Sequence, residues 1–292
     1  MEASSNPTLE LLLARRSIRD YEDRPVPDDV KDHVIAATMR APTAGNMMLY
    51  QVIEVEDADR REYLSHSCDE QPFIAKAPWL LVFVADYQRW YDYFRWSGAV
   101  ADRATTSGSH GPGTHPDAAS LAPAQPSATQ PSATPLSATP AEGDLMLAVS
   151  DALIAAQTAA IAAEALGLGS CYIGDIMENY EKLRDFFALP SWAFPVAMLA
   201  IGWPTGRQLV REQPPRFDRK FIVAKERYRP VDPSEYGELF GPDPTRGAPL
   251  LPGAANHGQH VWKRKFANAF MDELRRSVRA AMEIWRGRPE GS

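Results

Sequence analysis

The chain has 292 residues, 45% hydrophobic and 24% charged, the proportions of a globular protein long enough to bury a substantial core. Its formal net charge of -7 disfavours a general binder of nucleic acid or of an anionic membrane, because a phosphate surface demands a basic face. Two cysteines, Cys68 and Cys171, exclude a disulfide framework and a thiolate metal site.

Residues 7–16 form the first predicted helix, with Asn6 as N-cap and Pro7 at its first position. A second helix is predicted over 27–39, with Val30, Val34 and Ala37 on one face. Residues 51–55 read as a short strand, and 79–85, nearly all apolar, as a strand buried on both faces. The pattern then breaks. Residues 104–142 are made almost wholly of Ala, Pro, Ser, Thr, Gly and Gln, with QPSAT twice in succession at 125–134. Such a segment cannot bury enough apolar surface to offset its ordering entropy, and is predicted to be disordered.

Beyond it, 144–166 predicts one long Ala-rich helix ended by Gly167. Asp151, Gln157 and Glu164 interrupt its apolar run, which argues for a core helix over a membrane span. Residues 170–173 read as a strand, 180–187 as a helix and 196–203 as a second buried strand. An amphipathic helix is predicted over 260–285, carrying Phe266, Phe270, Leu274, Val278 and Met282 at nearly helical spacing. Mixed strands and helices on both sides of the insertion predict one α+β domain over 1–238, followed by a C-terminal extension, 239–292. The first residues lack the basic and apolar stretches of a secretory leader, so the expected compartment is the cytoplasm.

Three constellations carry chemistry. Arg15-Arg16-Ser17-Ile18-Arg19 places three guanidiniums and a hydroxyl where a helix gives way to extended chain, enough to hold a phosphate bidentately. Taken alone, the commoner reading is a basic helix C-terminus answering its own dipole. Ala41-Pro42-Thr43-Ala44-Gly45-Asn46 follows the second helix; its small residues admit a flat ligand, and Asn46 both donates and accepts. A plain helix-ending loop explains it equally well. Residues 167–175, Gly-Leu-Gly-Ser-Cys-Tyr-Ile-Gly-Asp, depart from the dinucleotide fingerprint and follow a helix. They offer backbone amides beside Gly174 and Asp175 to a heteroaromatic ring, or form a helix cap and strand.

Other signals are weaker. His257-Gly258-Gln259-His260 lacks the helical HExxH pattern, and no metal site is expected. Cys171 reads as buried packing. The aromatic run from Trp90 to Trp96 either lines a pocket for planar substrates or packs in a core or dimer interface.

In combination and order, these pieces resemble the nitroreductase family over about residues 9–103 and 143–228. RRSIRDY resembles its phosphate-binding R-x-S-x-R/K segment, APTAGN its A-P-S-x-x-N loop, GLGSCYIGDI its G-[LI]-G-[ST]-C-x-[IL]-G signature and AIGWP its [IL]-G-x-P ending. The resemblance implies a nitroreductase-like α+β fold, a central, mainly antiparallel sheet flanked by helices, in a homodimer with a disordered insertion. It implies flavin mononucleotide (FMN) as cofactor and NAD(P)H as electron donor to a small acceptor. By position, Arg15, Arg16 and Ser17 would hold the phosphate and ribityl chain, and Arg19 the pyrimidine edge. Thr43, Asn46 and Gln71 would touch the flavin, Tyr172, Ile173, Gly174 and Asp175 would run past its ring with an amide near N5, and Arg216 would close on the phosphate. No catalytic dyad is expected, because the cofactor carries the hard chemistry.

Two departures from the family pattern limit the transfer. Met47-Met48-Leu49-Tyr50 stands where many members have a polar-Pro-Trp run, and the insertion stands where many have helices lining the substrate entrance. Two alternatives to a nitroreductase stay open here: a flavin-dependent reductase or dehydrogenase of a specialised metabolite, and a flavin-binding sensor without turnover.

Overall fold

The computed structural model describes residues 6–99, 140–241 and 249–286. The predicted disordered segment lies outside the described residues except for its last three, 140–142.

Four strands form one sheet: β1 (Tyr50–Val55), β2 (Trp79–Asp86), β3 (Gly169–Ile173) and β4 (Ala193–Gly202). They run in the order β1-β2-β4-β3, and every neighbouring pair is antiparallel. Strands β2 and β4 are buried at every residue, as central strands covered on both faces must be. Pro195 lies inside β4, where it cannot donate to the ladder. The register accommodates it by shifting at Phe83/Val84, so Val84 pairs with Pro195 while Phe83 pairs with Ala197.

Ahead of β1 lie α1 (Pro7–Ala14) and α2 (Asp28–Thr38). Asn6 caps α1 by accepting from the Leu9 amide at 3.1 Å, as expected from the sequence. Between β1 and β2 lie α3 (Ala58–Ser67) and α4 (Pro72–Lys76), and α5 (Gln88–Trp96) follows β2; none of the three is among the helices predicted above. Helix α5 resolves the aromatic run: Tyr91 packs on Trp192, whereas Tyr93 and Trp96 remain exposed.

The long helix α6 (Glu142–Ala165) starts two residues earlier than predicted, because Asp144 turns back to the Ala141 amide at 2.9 Å. By length and composition α6 could cross a membrane. Here Ala148, Ala152, Ala155, Ala156, Ala159, Ala160 and Ala163 are fully buried, packed into the core on one sheet face. Small side chains let the helix axis approach the sheet closely. The opposite sheet face is covered by α3, α4 and α7 (Tyr180–Phe187), with Leu64, Ile74, Ile176 and Leu183 fully buried.

After β4 come the short helices α8 (Gly206–Leu209), α9 (Arg219–Ile222) and α10 (Tyr236–Phe240). The predicted helix over 260–285 is two helices, α11 (His257–Lys265) and α12 (Ala269–Trp285). The break has a local cause: Asn268 is extended and caps α12 by accepting from the Met271 amide at 2.9 Å. Ser277, Ala281 and Trp285 bury the inner face of α12.

Candidate functional site

The basic segment lies along the exposed edge of the sheet. Ser17 forms a parallel bridge with Ser170 of the edge strand β3, and the Ile18 amide donates to the Ser170 carbonyl at 2.9 Å. Residues 15–19 and 168–172 therefore run side by side. Gly169 makes this approach possible: a Cβ there would stand 2.5 Å from Ile18 Cγ1.

The three guanidiniums have different duties. Arg15 Nε lies 3.3 Å from Glu164 Oε1 of α6, yet has no hydrogen bond. Arg16 is spent on main chain: its Nη1 donates to the carbonyls of Leu209, at 2.8 Å, and of Arg211. Arg19 is exposed, 5.8 Å from the centre of the Phe73 ring. Arg211, absent from the sequence expectations, donates to the Ser17 carbonyl at 2.7 Å. Burial raises the Cys171 thiol pKa, while the positive charge of Arg19, Arg15 and Arg211 and a Ser17 hydrogen bond oppose that rise. Arg15, at Glu164, and Arg211, at the Ser17 carbonyl, thus flank the start of β3. A cavity of ≈ 320 Å³ opens there, lined by Arg15, Arg16, Glu164 and Gly169 among others. Burial also raises the Glu164 pKa, against the pull of Arg15 and the Ser170 hydroxyl.

Arg216 is exposed, with one long contact to the Pro214 carbonyl at 3.5 Å. Three residues earlier, Gln213 donates to the carbonyls of Leu13 and Arg15 at 2.8 and 2.9 Å, which seats the late segment beside the end of α1.

At the other end of β3, Gln71 and Asp175 meet: Gln71 Nε2 donates to Asp175 Oδ2 at 2.8 Å and to the Cys68 carbonyl at 2.7 Å. Strand alternation separates the remaining residues. Tyr172 leans on the α6 side, its hydroxyl 3.3 Å from Gln157 Oε1, and burial pushes its pKa up to about 12. Ile173 points the other way into the core and is 2% exposed, so it can offer a ligand only its backbone. Gly174 is exposed, and a Cβ there would meet nothing closer than Met177 Cε at 3.9 Å.

Thr43 and Asn46 lie elsewhere. Their loop is anchored to Asp151, thirteen residues before Glu164 on α6, a rise of about 20 Å along the helix. Gly45, Asn46 and Met48 all have positive φ, and Asn46 is exposed. Trp90 of α5 supports the same loop by donating to the Met47 carbonyl at 2.7 Å. Within one chain, two groups of predicted site residues thus stand about 20 Å apart along α6, one beside its middle and one beside its C-terminal end.

The family model described as "Nitroreductase family" matches residues 12–203. This chain belongs to the nitroreductase family. It is 29% identical over 227 residues to an oxygen-insensitive NADPH nitroreductase of Salmonella typhimurium, covering 78% of this chain and 77% of that one. It is 29% identical over 223 residues to an FMN reductase [NAD(P)H] of Bacillus subtilis, covering 76% and 75%. Among solved structures, it superposes on NfrA2 of B. megaterium with a TM-score of 0.70 at 23% identity, covering 94% and 97% of the two chains. The NADPH:FMN oxidoreductase of Vibrio harveyi in complex with NAD+ gives 0.68 at 20% identity, over 95% and 98%. The fold is nitroreductase-like, an antiparallel sheet flanked by helices.

Four residues at the candidate site are not among those expected from the sequence: Asp151, Glu164, Arg211 and Gln208, whose Oε1 lies 3.5 Å from the Arg19 amide. Asp151 and Glu164 carried a signal, as lone carboxylates in an otherwise apolar helix. Arg211 and Gln208 carried none.

Proposed function

We propose that this protein is an FMN-dependent oxidoreductase that takes electrons from NAD(P)H and passes them to a small aromatic or conjugated acceptor in the cytoplasm. The observation that carries the reading is the row of groups beside β3, with Arg15 and Arg211 at one end and the Gln71–Asp175 pair at the other. A phosphate-bearing planar group fits it. Arg15 Nε is buried without a hydrogen bond, and the space above Gly174 is open. The relatives bearing FMN and NADPH in their names support the same cofactor and donor.

When bound, FMN supplies two-electron chemistry at N5. The chain's own residues bind and orient. Arg15, Arg211 and Arg216 hold the phosphate by charge-assisted hydrogen bonds, with Ser17 beside them. Arg16 serves through the main chain of 209–211, which it ties to the site. Arg19 places a cation where negative charge on the ring is stabilised. Gln71, held by Asp175, presents a fixed polar group, and the backbone at 172–175 offers amides to the ring edge. Residues 1–238 form the flavin domain, and 239–292 an extension.

The functional unit is a homodimer. On its outer side α6 leaves Met146, Leu147, Leu153 and Ile154 exposed, and α1 leaves Leu9 and Leu13 exposed. A second copy covers such a surface. If the two α6 helices cross antiparallel about a twofold axis, the loop carrying Thr43 and Asn46 meets the partner's Arg15 end.

The test is direct. The purified protein should be yellow and release FMN on acid treatment. NADPH or NADH should bleach it, and an acceptor panel should restore the colour with steady turnover and parallel initial-rate lines. A flavin that is reduced once and never turns over would instead make the protein a sensor.

A further inference from the structure

The loop between β3 and α7, residues 174–179, is held at its far end by the C-terminal helix. Asn179 is left-handed, at φ 48° and ψ 40°, and its side chain does not cap α7. In its place Glu273 Oε1 of α12 accepts the Asn179 amide at 3.0 Å, and Ser277 Oγ accepts the Tyr180 amide at 3.1 Å. These two side chains are themselves joined, the Ser277 hydroxyl donating to Glu273 at 2.8 Å. Arg276 donates to both oxygens of Glu273, at 2.9 and 2.8 Å, and bidentately to Glu181 in the first turn of α7, at 2.7 and 2.8 Å. Amides at a helix start need outside acceptors, and here a distant helix provides them.

The connection continues toward the site. Asn179 Nδ2 lies 3.4 Å from the Ser67 carbonyl, at the start of a loop in which Asp69 and Glu70 also have positive φ, 60° and 50°. Non-glycine residues keep such conformations only where their surroundings hold them. That loop ends at Gln71, which closes on Asp175. Both strained loops are therefore braced against each other, and one of them is pinned to α12.

We infer that Glu273 is a positioning residue for the flavin site: by capping Asn179 it sets the 174–179 loop, and with it the Gln71–Asp175 pair. The inference rests on the reading of Gln71 and Asp175 as flavin-facing. It gives the extension beyond residue 238 a role in a site whose other parts lie before it.

The experiment compares the wild type with Glu273→Ala, Glu273→Gln, Ser277→Ala, Glu181→Gln and Gln71→Ala. Each apoprotein is titrated with FMN by fluorescence quenching, and the reconstituted forms are compared by visible absorption, midpoint potential and melting temperature. Glu273→Ala should weaken FMN binding roughly tenfold and alter the flavin band, as Gln71→Ala does. Glu273→Gln, which keeps an acceptor oxygen, should recover part of the affinity. Ser277→Ala removes the Tyr180 cap and one of the donors that hold Glu273, leaves the Glu273 cap of Asn179 in place, and should give a smaller loss in a folded protein, so the inference stays testable if Glu273→Ala does not fold. Glu181→Gln breaks the helix-to-helix ion pair and should lower the melting temperature with FMN affinity unchanged. If Glu273→Ala and Ser277→Ala bind FMN like Glu181→Gln while Gln71→Ala binds it weakly, the inference is overturned and the site reading stands. If Gln71→Ala is also indistinguishable from wild type, both fall.

Discussion

The hydroxyl of Thr43 donates to the carboxylate of Asp151, a residue 108 positions later in the middle of the long core helix. The same carboxylate accepts the Ala44 amide at 3.0 Å and the Leu49 amide at 3.1 Å. Asp151 is 2% exposed. One buried anion thus satisfies three donors of a loop that holds Gly45, Asn46 and Met48 at positive φ.

Replacing Asp151 by Ala should therefore strand those donors. The expected loss is about 3 kcal/mol or more, since each unsatisfied buried polar group costs about 1–3 kcal/mol. Asp151→Asn should lose less, because its carbonyl oxygen still accepts. Urea unfolding midpoints measure both, and a loss below 1 kcal/mol for Asp151→Ala would show that the loop is held by other means.

The arginines should separate by role. Arg15→Ala, Arg211→Ala and Arg216→Ala should each weaken FMN binding, by about 1.5–3 kcal/mol for a charge-assisted contact. Arg16→Ala should act through the loosened 209–211 segment, and Arg16→Lys should recover part of the loss, because both carbonyls are held by one nitrogen, Nη1, and an ammonium also carries enough donors for two. Apoprotein titrations with FMN, paired with limited proteolysis after residue 209, distinguish the two behaviours.

Gly169→Ala tests the close approach of the basic segment. The new methyl would stand 2.5 Å from Ile18 Cγ1 and 2.8 Å from Ile18 Cβ, so residues 15–19 must move off β3. Overpacking of this kind costs about 1–3 kcal/mol. Flavin content should fall along with melting temperature. Gly174→Ala, with no atom nearer than 3.9 Å, should leave melting unchanged and report only on ligand fit.

Stability should fall between about pH 4.5 and pH 7 through Glu178. Burial, with the charges of Asp175, Asp69 and Glu273, pushes its carboxyl up to about 7 from an ordinary 4.5. The folded state then holds this proton more tightly than the unfolded state does. The folded protein gains from that proton at acid pH, and the gain is lost as pH rises through the folded value. The amplitude is roughly 1–3 kcal/mol. Glu178→Gln should flatten this part of the stability-pH curve in calorimetry; an unchanged slope would remove Glu178 as its source.

Much of the candidate site is legible because its pieces are local in sequence. The basic run at 15–19, the Thr43–Asn46 loop and the glycine-rich turn at 167–175 each announce themselves by residue type and spacing, and so does the membership of this chain in the nitroreductase family. The buried strands around 79–86 and 193–202 and the Ala-rich helix were readable for a similar reason, since unbroken apolar runs have few alternatives to a core. The helices at 58–67 and 72–76 were not, because the first has almost no apolar face and the second is five residues long, and the aromatic run at 88–96 fits a pocket wall as well as a helix.

Tertiary structure alone decided how the pieces are used. No sequence rule says that Arg16 spends its charge on carbonyls of residues 209 and 211, or that Arg211 takes a place beside Ser17. Nor does any local pattern reveal that Asp151 anchors one loop while Glu164, farther along the same helix, faces Arg15, or that Glu273 caps a helix begun at Tyr180. Hydrogen bonds and ion pairs between distant residues depend on where the packed sheet and helices bring side chains within about 3 Å, and that distance is set by the whole fold.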